Sequence, residues 1–285
     1  MFFTLGSTLI VRSRVWLLSA LVGVLPATAA LSDELAATPL VIGETFQMPS
    51  QVLQEDRRIN VYLPAGYAEQ SDKRYPVMFM PDGGLAEDFL HIAGLLQISA
   101  LNGTMRPFIL IGIENTERRR DLTGPTVIDA DREIAPRVGG SSNFRSFLRD
   151  ELIPRVAATY RTTNERVLIG ESLAGLFVIE TLLLEPELFD SYVAIDPSLW
   201  WNAEWLVQHA PELLAKGDFS TKRLALASTT ATPIGDASAR MADQIKRGKL
   251  AASWFIPMSG ESHASIFHPA ALLAFRTIEA DSREH

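Results

Sequence analysis

Ser172 stands where a nucleophile can be made. A short apolar run, Arg166 to Gly170, leads straight into Glu171-Ser172-Leu173-Ala174-Gly175 and on into the apolar stretch Leu176 to Leu184. A serine at a tight turn between a buried strand and a helix is pushed out at the strand's end. The helix N-terminus then turns backbone N–H groups toward an oxyanion developing beside it. The pattern reads Gly170-x-Ser172-x-Ala174 with Gly175 one place later, so alanine replaces the last glycine of the usual nucleophile elbow. The same string also suits a serine capping an ordinary strand–helix unit. What separates the two readings is a base.

Five histidines are present. His91 and His209 fall in helical stretches, and His285 is the last residue. Only His263 and His268 follow the last apolar run, and His263 lies in the loop Ser259-Gly260-Glu261-Ser262-His263 directly after it, where a base in this arrangement belongs. His268 lies further on, in the next helix, and reads as a packing or solvent residue. An oxyanion hole needs a second donor, and Pro81-Asp82-Gly83-Gly84-Leu85 ends the third strand with two glycines. The hole is therefore assigned to the N–H groups of Gly84 and Leu173, with Gly83 as the other candidate. For the acid, Asp236 is the first carboxylate after the strand Leu224 to Ser228, while Asp196 ends the preceding strand. Asp236 is the topologically usual choice. A Ser–His dyad, with Glu261 or a backbone carbonyl orienting His263, stays open.

These residues need a scaffold that brings strand ends together. Val41 to Met48 and Arg58 to Leu63 read as two antiparallel strands. Tyr75 to Met80, Phe108 to Ile113, Val167 to Gly170, Tyr192 to Ile195, Leu224 to Ser228 and Ala252 to Pro257 are continuous apolar runs, suited to strands buried on both faces. Helical patterns lie between them. One has Phe144, Phe147, Leu148, Leu152 and Val156 on a single face. The expected class is α/β, a mostly parallel central sheet with an antiparallel N-terminal start and helices on both faces. Asn115 to Ser142 is the longest irregular stretch, a candidate for a functional loop.

Composition removes other classes. With no cysteine among 285 residues, disulfides, thiolate zinc sites and thiol catalysis are out, and the nucleophile must be an oxygen. His263 and His268 alone form no metal motif, and no cofactor is implied. A net charge of −8 argues against a nucleic-acid partner. Arg12 and Arg14 precede the apolar run Val15 to Val24, and Ala27-Thr28-Ala29 has the small-residue pattern of a cleavage site. That run is shorter than the roughly 20 apolar residues a membrane span needs. Residues 1–29 therefore read as a Sec-type signal peptide and 30–285 as one domain, with no membrane span in the mature chain. Met1 to Val11 is mostly apolar where a charged segment is usual, so retention as an anchor is the other reading. An exported chain without cysteine points to a Gram-negative periplasm or cell surface.

Taken together, the chain resembles the esterase D (Putative esterase) family of α/β-hydrolases. The resemblance is carried by Ile59-Asn60-Val61-Tyr62-Leu63-Pro64-Ala65-Gly66-Tyr67, Met80-Pro81-Asp82-Gly83-Gly84, Gly112-Ile113-Glu114-Asn115, Arg118-Arg119-Arg120-Asp121-Leu122-Thr123, Gly170-Glu171-Ser172-Leu173-Ala174-Gly175-Leu176-Phe177 and Asp196-Pro197-Ser198-Leu199-Trp200-Trp201. Within the family it looks most like the siderophore-esterase branch, whose periplasmic salmochelin members use a Ser–His dyad. The resemblance implies an α/β-hydrolase fold, a carboxylic ester as the small-molecule substrate, Ser172 as nucleophile and His263 as base. Ala174 and the unassigned acid are its departures.

Two features bear on specificity. Arg118, Arg119 and Arg120 open the long loop on the serine's sheet edge, where one or two of them could bind a carboxylate or catecholate; Arg118 and Arg119 are the candidates. Trp200 is a candidate to stack on a substrate ring, while at least one of Trp200 and Trp201 is expected to pack a helix onto the sheet. The expected function is an exported serine hydrolase acting on an ester, a siderophore ester among the candidates. The alternatives are acyl transfer to a sugar or lipid, and a catalytically silent periplasmic binding protein.

Overall fold

Short apolar runs become strands, and the stretches between most of them become helices. The computed structural model describes residues 37–284, and the signal-peptide reading falls outside them. The elements of the unit that starts at Val41 are, in order, β1 (Glu44–Ser50), β2 (Glu55–Tyr62), β3 (Tyr75–Pro81), α1 (Phe89–Leu101), β4 (Ile109–Ile113), α2 (Arg118–Asp121), α3 (Asp129–Glu133), α4 (Ser141–Phe147), α5 (Ile153–Thr159), β5 (Thr162–Glu171), α6 (Leu173–Leu184), β6 (Ser191–Ile195), α7 (Trp201–Lys216), β7 (Arg223–Thr229), α8 (Pro233–Arg247), β8 (Ala252–Met258) and α9 (Phe267–Glu284). Among the described residues no helix is long and apolar enough to cross a membrane.

The strands form one eight-stranded sheet in the order β1-β2-β4-β3-β5-β6-β7-β8. β1 with β2 and β2 with β4 are antiparallel; every other pair is parallel. This is the mostly parallel sheet with an antiparallel start expected from the alternation, and the α/β-hydrolase architecture that the resemblance implies. Successive side chains of a strand point to opposite faces, so the sheet has two cores. Tyr75, Val77 and Phe79 of β3 join a core covered by α4 to α8, whereas Met78 and Met80 join one covered by α1 and α9. The expected helical face Phe144, Phe147, Leu148, Leu152 and Val156 is buried throughout. A π turn at Leu148–Leu152 interrupts that helix. Pro154 just beyond it has no N–H to give to the preceding turn, and the ladder widens there.

Because β3 to β8 run in the same direction, their C-terminal ends share one edge, the place where open α/β sheets bind ligands. Backbone strain collects on that edge. Asp82, Ser172 and Asp196, each at or just past a strand's end, hold φ of 57°, 59° and 41°, a region non-glycine residues seldom occupy without a functional constraint.

Candidate functional site

Ser172 joins β5 to α6 with φ 59° and ψ −118°, the sharp turn that its neighbours must tolerate. Gly170 makes this possible. A Cβ there would lie 2.6 Å from both the carbonyl carbon and the Cβ of Ala174, so strand and helix could not approach. The alanine at 174 is accommodated because its methyl rests against a residue that has none.

From Ser172 the polar contacts run in one line. His263, in the loop between β8 and α9, has Nε2 3.0 Å from Ser172 Oγ and Nδ1 2.7 Å from Asp196 Oδ2. Asp196 is fully buried, at 0% exposure. Its other oxygen accepts from Ser228 Oγ at 2.7 Å, Thr229 N at 2.8 Å and Thr229 Oγ1 at 3.0 Å. Burial alone would push this carboxyl up, but the hydrogen bonds from His263, Ser228 and Thr229 outweigh it and hold it below the usual carboxylate range. An ionised carboxylate only accepts, so His263 Nδ1 must carry the proton and Nε2 is left to accept from the serine hydroxyl. The bond to Asp196 also raises the imidazole above its ordinary 6.5, against burial, and Glu171 adds to the rise. Ser198 Oγ lies 3.4 Å from Ser172 Oγ. Such a line can draw a proton from the serine as it attacks an electrophile, and return it to a leaving group.

The structure does not bring the acid expected after β7 to His263. Asp236 is exposed in the first turn of α8, where its charge suits the helix N-terminus, and no hydrogen bond or ion pair joins it to His263 among the described residues. The carboxylate at His263 comes from the end of β6, while β7 supplies the hydroxyls that hold it. Glu261 is engaged with Ser265. His268 stacks on His91 with ring centroids 4.7 Å apart, away from this line.

The remaining sites divide. Leu173 begins α6, and its N–H has no hydrogen-bond partner among the described residues, so it is open to an anion beside Ser172. The Gly83 N–H is used by Ile113 O at 3.0 Å. The Gly84 N–H donates to Glu87 Oε2 at 2.7 Å, so Gly84 can serve an oxyanion only when that carboxylate swings aside. Arg118 lies on the edge but is committed to Asp82 by two bonds, 2.7 and 2.8 Å. Arg119 is exposed, with no side-chain partner among the described residues. Trp200 is 39% exposed, whereas Trp201 is buried and donates from Nε1 to Gly124 O at 2.8 Å, the packing role expected of one of the pair.

Sequence reasoning missed one neighbour. Glu171 Oε1 is 3.5 Å from His263 Nε2. Burial pushes its carboxyl up to about 7, against His263 and Arg118 and with help from Asp88 and Asp82. The signal was present as a glutamate directly before the elbow serine. An imidazole accepts a proton only when neutral, so a reaction that uses His263 as its base should lose kcat/KM as pH drops through the raised pKa. The charges facing the imidazole are Asp196, Glu171 and Arg118. Glu171→Gln removes one that favours the imidazolium, so the acid limb of the kcat/KM profile should move to lower pH. An unmoved limb would assign Glu171 to packing alone.

Comparison with known proteins gives a consistent set. A family described as Putative esterase matches residues 50–254. The ferri-bacillibactin esterase BesA of Bacillus subtilis is 25% identical over 240 residues, covering 74% of this chain and 81% of that protein. The siderophore triacetylfusarinine C esterase of Aspergillus fumigatus is 35% identical over 98 residues, 33% of this chain and 32% of that one. Among solved structures, an IroE-like serine hydrolase from Shewanella oneidensis matches with a TM-score of 0.75 and 31% identity, over 84% of this chain and 80% of that chain.

Proposed function

This chain belongs to the Putative esterase family and is a carboxylic ester hydrolase; from that premise we propose that it works through an acyl-enzyme on Ser172, with His263 as general base and Asp196 as the third member of a triad. The observation that carries the reading is the continuous line Asp196 Oδ2–His263 Nδ1–His263 Nε2–Ser172 Oγ, at 2.7 and 3.0 Å. Ser172 Oγ attacks the ester carbonyl carbon as its proton passes to His263 Nε2. The oxyanion forms beside the Leu173 N–H, and one such donor is worth about 10²–10³ in rate. His263 then protonates the departing alkoxide and the C–O ester bond breaks. Water, deprotonated by the same nitrogen, attacks the acyl-Ser172 carbonyl and releases the acid. Asp196 keeps the imidazole in the tautomer that can accept, and stabilises the imidazolium.

For substrate, the proposal is an ester of an iron-chelating siderophore. Its support is the naming of BesA as a ferri-bacillibactin esterase and of the Aspergillus relative as a siderophore esterase. Export rests on Arg12, Arg14 and the apolar run after them; intact-mass analysis of protein recovered from a secreting host should show the chain beginning at Ala30.

A fluorophosphonate probe tests the chemistry. Wild type should be labelled and should hydrolyse p-nitrophenyl acetate and a ferric trilactone siderophore, and Ser172→Ala should do none of these. A wild-type protein that is neither labelled nor active on any ester sinks the reading. Labelling without siderophore cleavage sinks the substrate assignment alone.

A further inference from the structure

Four carboxylates share the catalytic edge with Ser172: Asp82 just past β3, Glu87 and Asp88 in the turn into α1, and Glu171 as the last residue of β5. Resting on the acyl-Ser172 reading, we propose that Glu171 and Asp88 set the charge preference of this esterase. It accepts esters whose departing group is uncharged or cationic and rejects those whose departing group is anionic.

Two of the four carboxylates are already engaged. Asp82 holds Arg118 at 2.7 and 2.8 Å and accepts from Asn115 Nδ2. Glu87 accepts from the Gly84 N–H at 2.7 Å and from Asn115 Nδ2 at 2.9 Å. Glu171 and Asp88 differ, since neither side chain receives a hydrogen bond among the described residues. Glu171 has His263 Nε2 at 3.5 Å, and Asp88 precedes α1 without capping it. Both are part-buried, so salt and water screen them less than they screen surface charges. Asp88 acts on the charge of Glu171, and both act on Arg118.

The place of Glu171 makes this a matter of substrate. Its Oε1 stands beside the nitrogen that would protonate the departing group, so that group leaves past a carboxylate. A charge on a two-carbon arm comes within several ångströms of it, where one unit charge changes the rate by about tenfold at the dielectric of a protein surface. Opposed like charges exclude a wrong partner more than they reward a right one. Arg118 offsets little, because Asp82 already holds it. The chain's net charge of −8 acts in the same sense. The carboxylates are thus no separate site but the wall of the one that holds Ser172. Among iron chelates, they rank an uncharged ferric trihydroxamate lactone above a trianionic ferric triscatecholate one.

Three thioacetates of like shape test this. Acetylthiocholine carries a cation, 3,3-dimethylbutyl thioacetate is uncharged, and S-acetyl-2-mercaptoethanesulfonate carries an anion. Thiol release is read with dithiodipyridine, and the chain has no cysteine to react with it. At about pH 8 Glu171 is ionised, since burial, with Asp88 and Asp82 and against His263 and Arg118, pushes it up only to about 7. There kcat/KM should be about tenfold lower for the anion than for the uncharged ester, with the cation at or above the uncharged one. Added salt should shrink that gap in the wild type. Glu171→Gln and Asp88→Asn should each narrow it about threefold, and the double variant should close it.

The gap should also narrow as pH falls through the Glu171 value and then that of Asp88, which burial, Asp82 and Glu87 push up to about 6 against Arg118. His263 titrates alike in all three reactions and cancels from their ratios. An anion hydrolysed as fast as the uncharged ester would overturn the proposal and leave the esterase reading standing. So would a gap that survives both salt and the double variant, or a triscatecholate lactone cleaved faster than a trihydroxamate one. No turnover of any of the three thioacetates sinks both; thermal melting shows that the variants are folded.

Discussion

Asp196→Asn should lower kcat/KM for an ester by about 10³–10⁴-fold, while Asp236→Asn should stay within about twofold of wild type. The size follows from the way Asp196 is held. Its Oδ1 receives the Thr229 N–H and two hydroxyls, so an asparagine must keep its oxygen on that side and turn its NH₂ toward His263. Nδ1 then has to accept, the proton moves to Nε2, and the nitrogen facing Ser172 can no longer serve as a base. The residue is small and the packing unchanged, so the melting temperature should move little. A loss of less than tenfold would return the site to a Ser–His dyad.

Asp121→Ala should cost about 3 kcal/mol of stability, the lower part of the range for breaking a buried ion pair, and lower Tm by roughly 6–12 °C. Arg57 is wholly buried. Its Nη1 reaches Asp121 at 2.6 Å, Thr116 at 2.8 Å and Glu55 at 2.9 Å, and its Nη2 reaches Glu114 O at 3.0 Å. Removing Asp121 leaves a guanidinium in the core with only Glu55 to offset it. The same cluster predicts acid sensitivity. The Arg120 hydrogen bond, against burial and with Thr116 and Arg57 assisting, holds Glu55 down at about 2. A depressed carboxyl stabilises the fold fully above its unfolded value near 4.5, and the contribution is lost as pH falls from there toward 2. Thermal melts at stepped pH check this; a flat Tm across that window would refute it. The cluster ties β2 to the loop that carries Arg118, so its loss also loosens one rim of the site.

Much of this was legible in the sequence because burial on both faces writes itself as unbroken apolar runs. Tyr75 to Met80 falls within a residue of β3, which is buried throughout; Ala252 to Pro257 falls within a residue of β8, whose run is as apolar although that edge strand is only partly buried. β5 was seen only in its last half, since Thr162 to Glu165 are polar and lie where the strand is partly exposed. The meeting of Ser172 with His263 is legible because local grammar fixes both positions, a strand–turn–helix corner and a loop after the final strand. Which carboxylate meets His263 is not legible, because nothing local distinguishes one at the end of β6 from one after β7. That choice is made by strand neighbours and by a turn at Asp196 with positive φ. The Glu87 bond to Gly84 and the Asp82 clasp on Arg118 escaped for the same reason: side-chain commitments within a site leave no periodicity to read.

The clasp on Asp196 divides the work between sheet and loop. The carboxylate grows from one strand and is gripped by hydroxyls from the next, with His263 touching only the charge between them. The carboxylate is therefore fixed by the pairing of β6 with β7, and not by the loop that brings His263 to it. Displacement of that loop would part the imidazole from the carboxylate and leave the carboxylate where the sheet holds it.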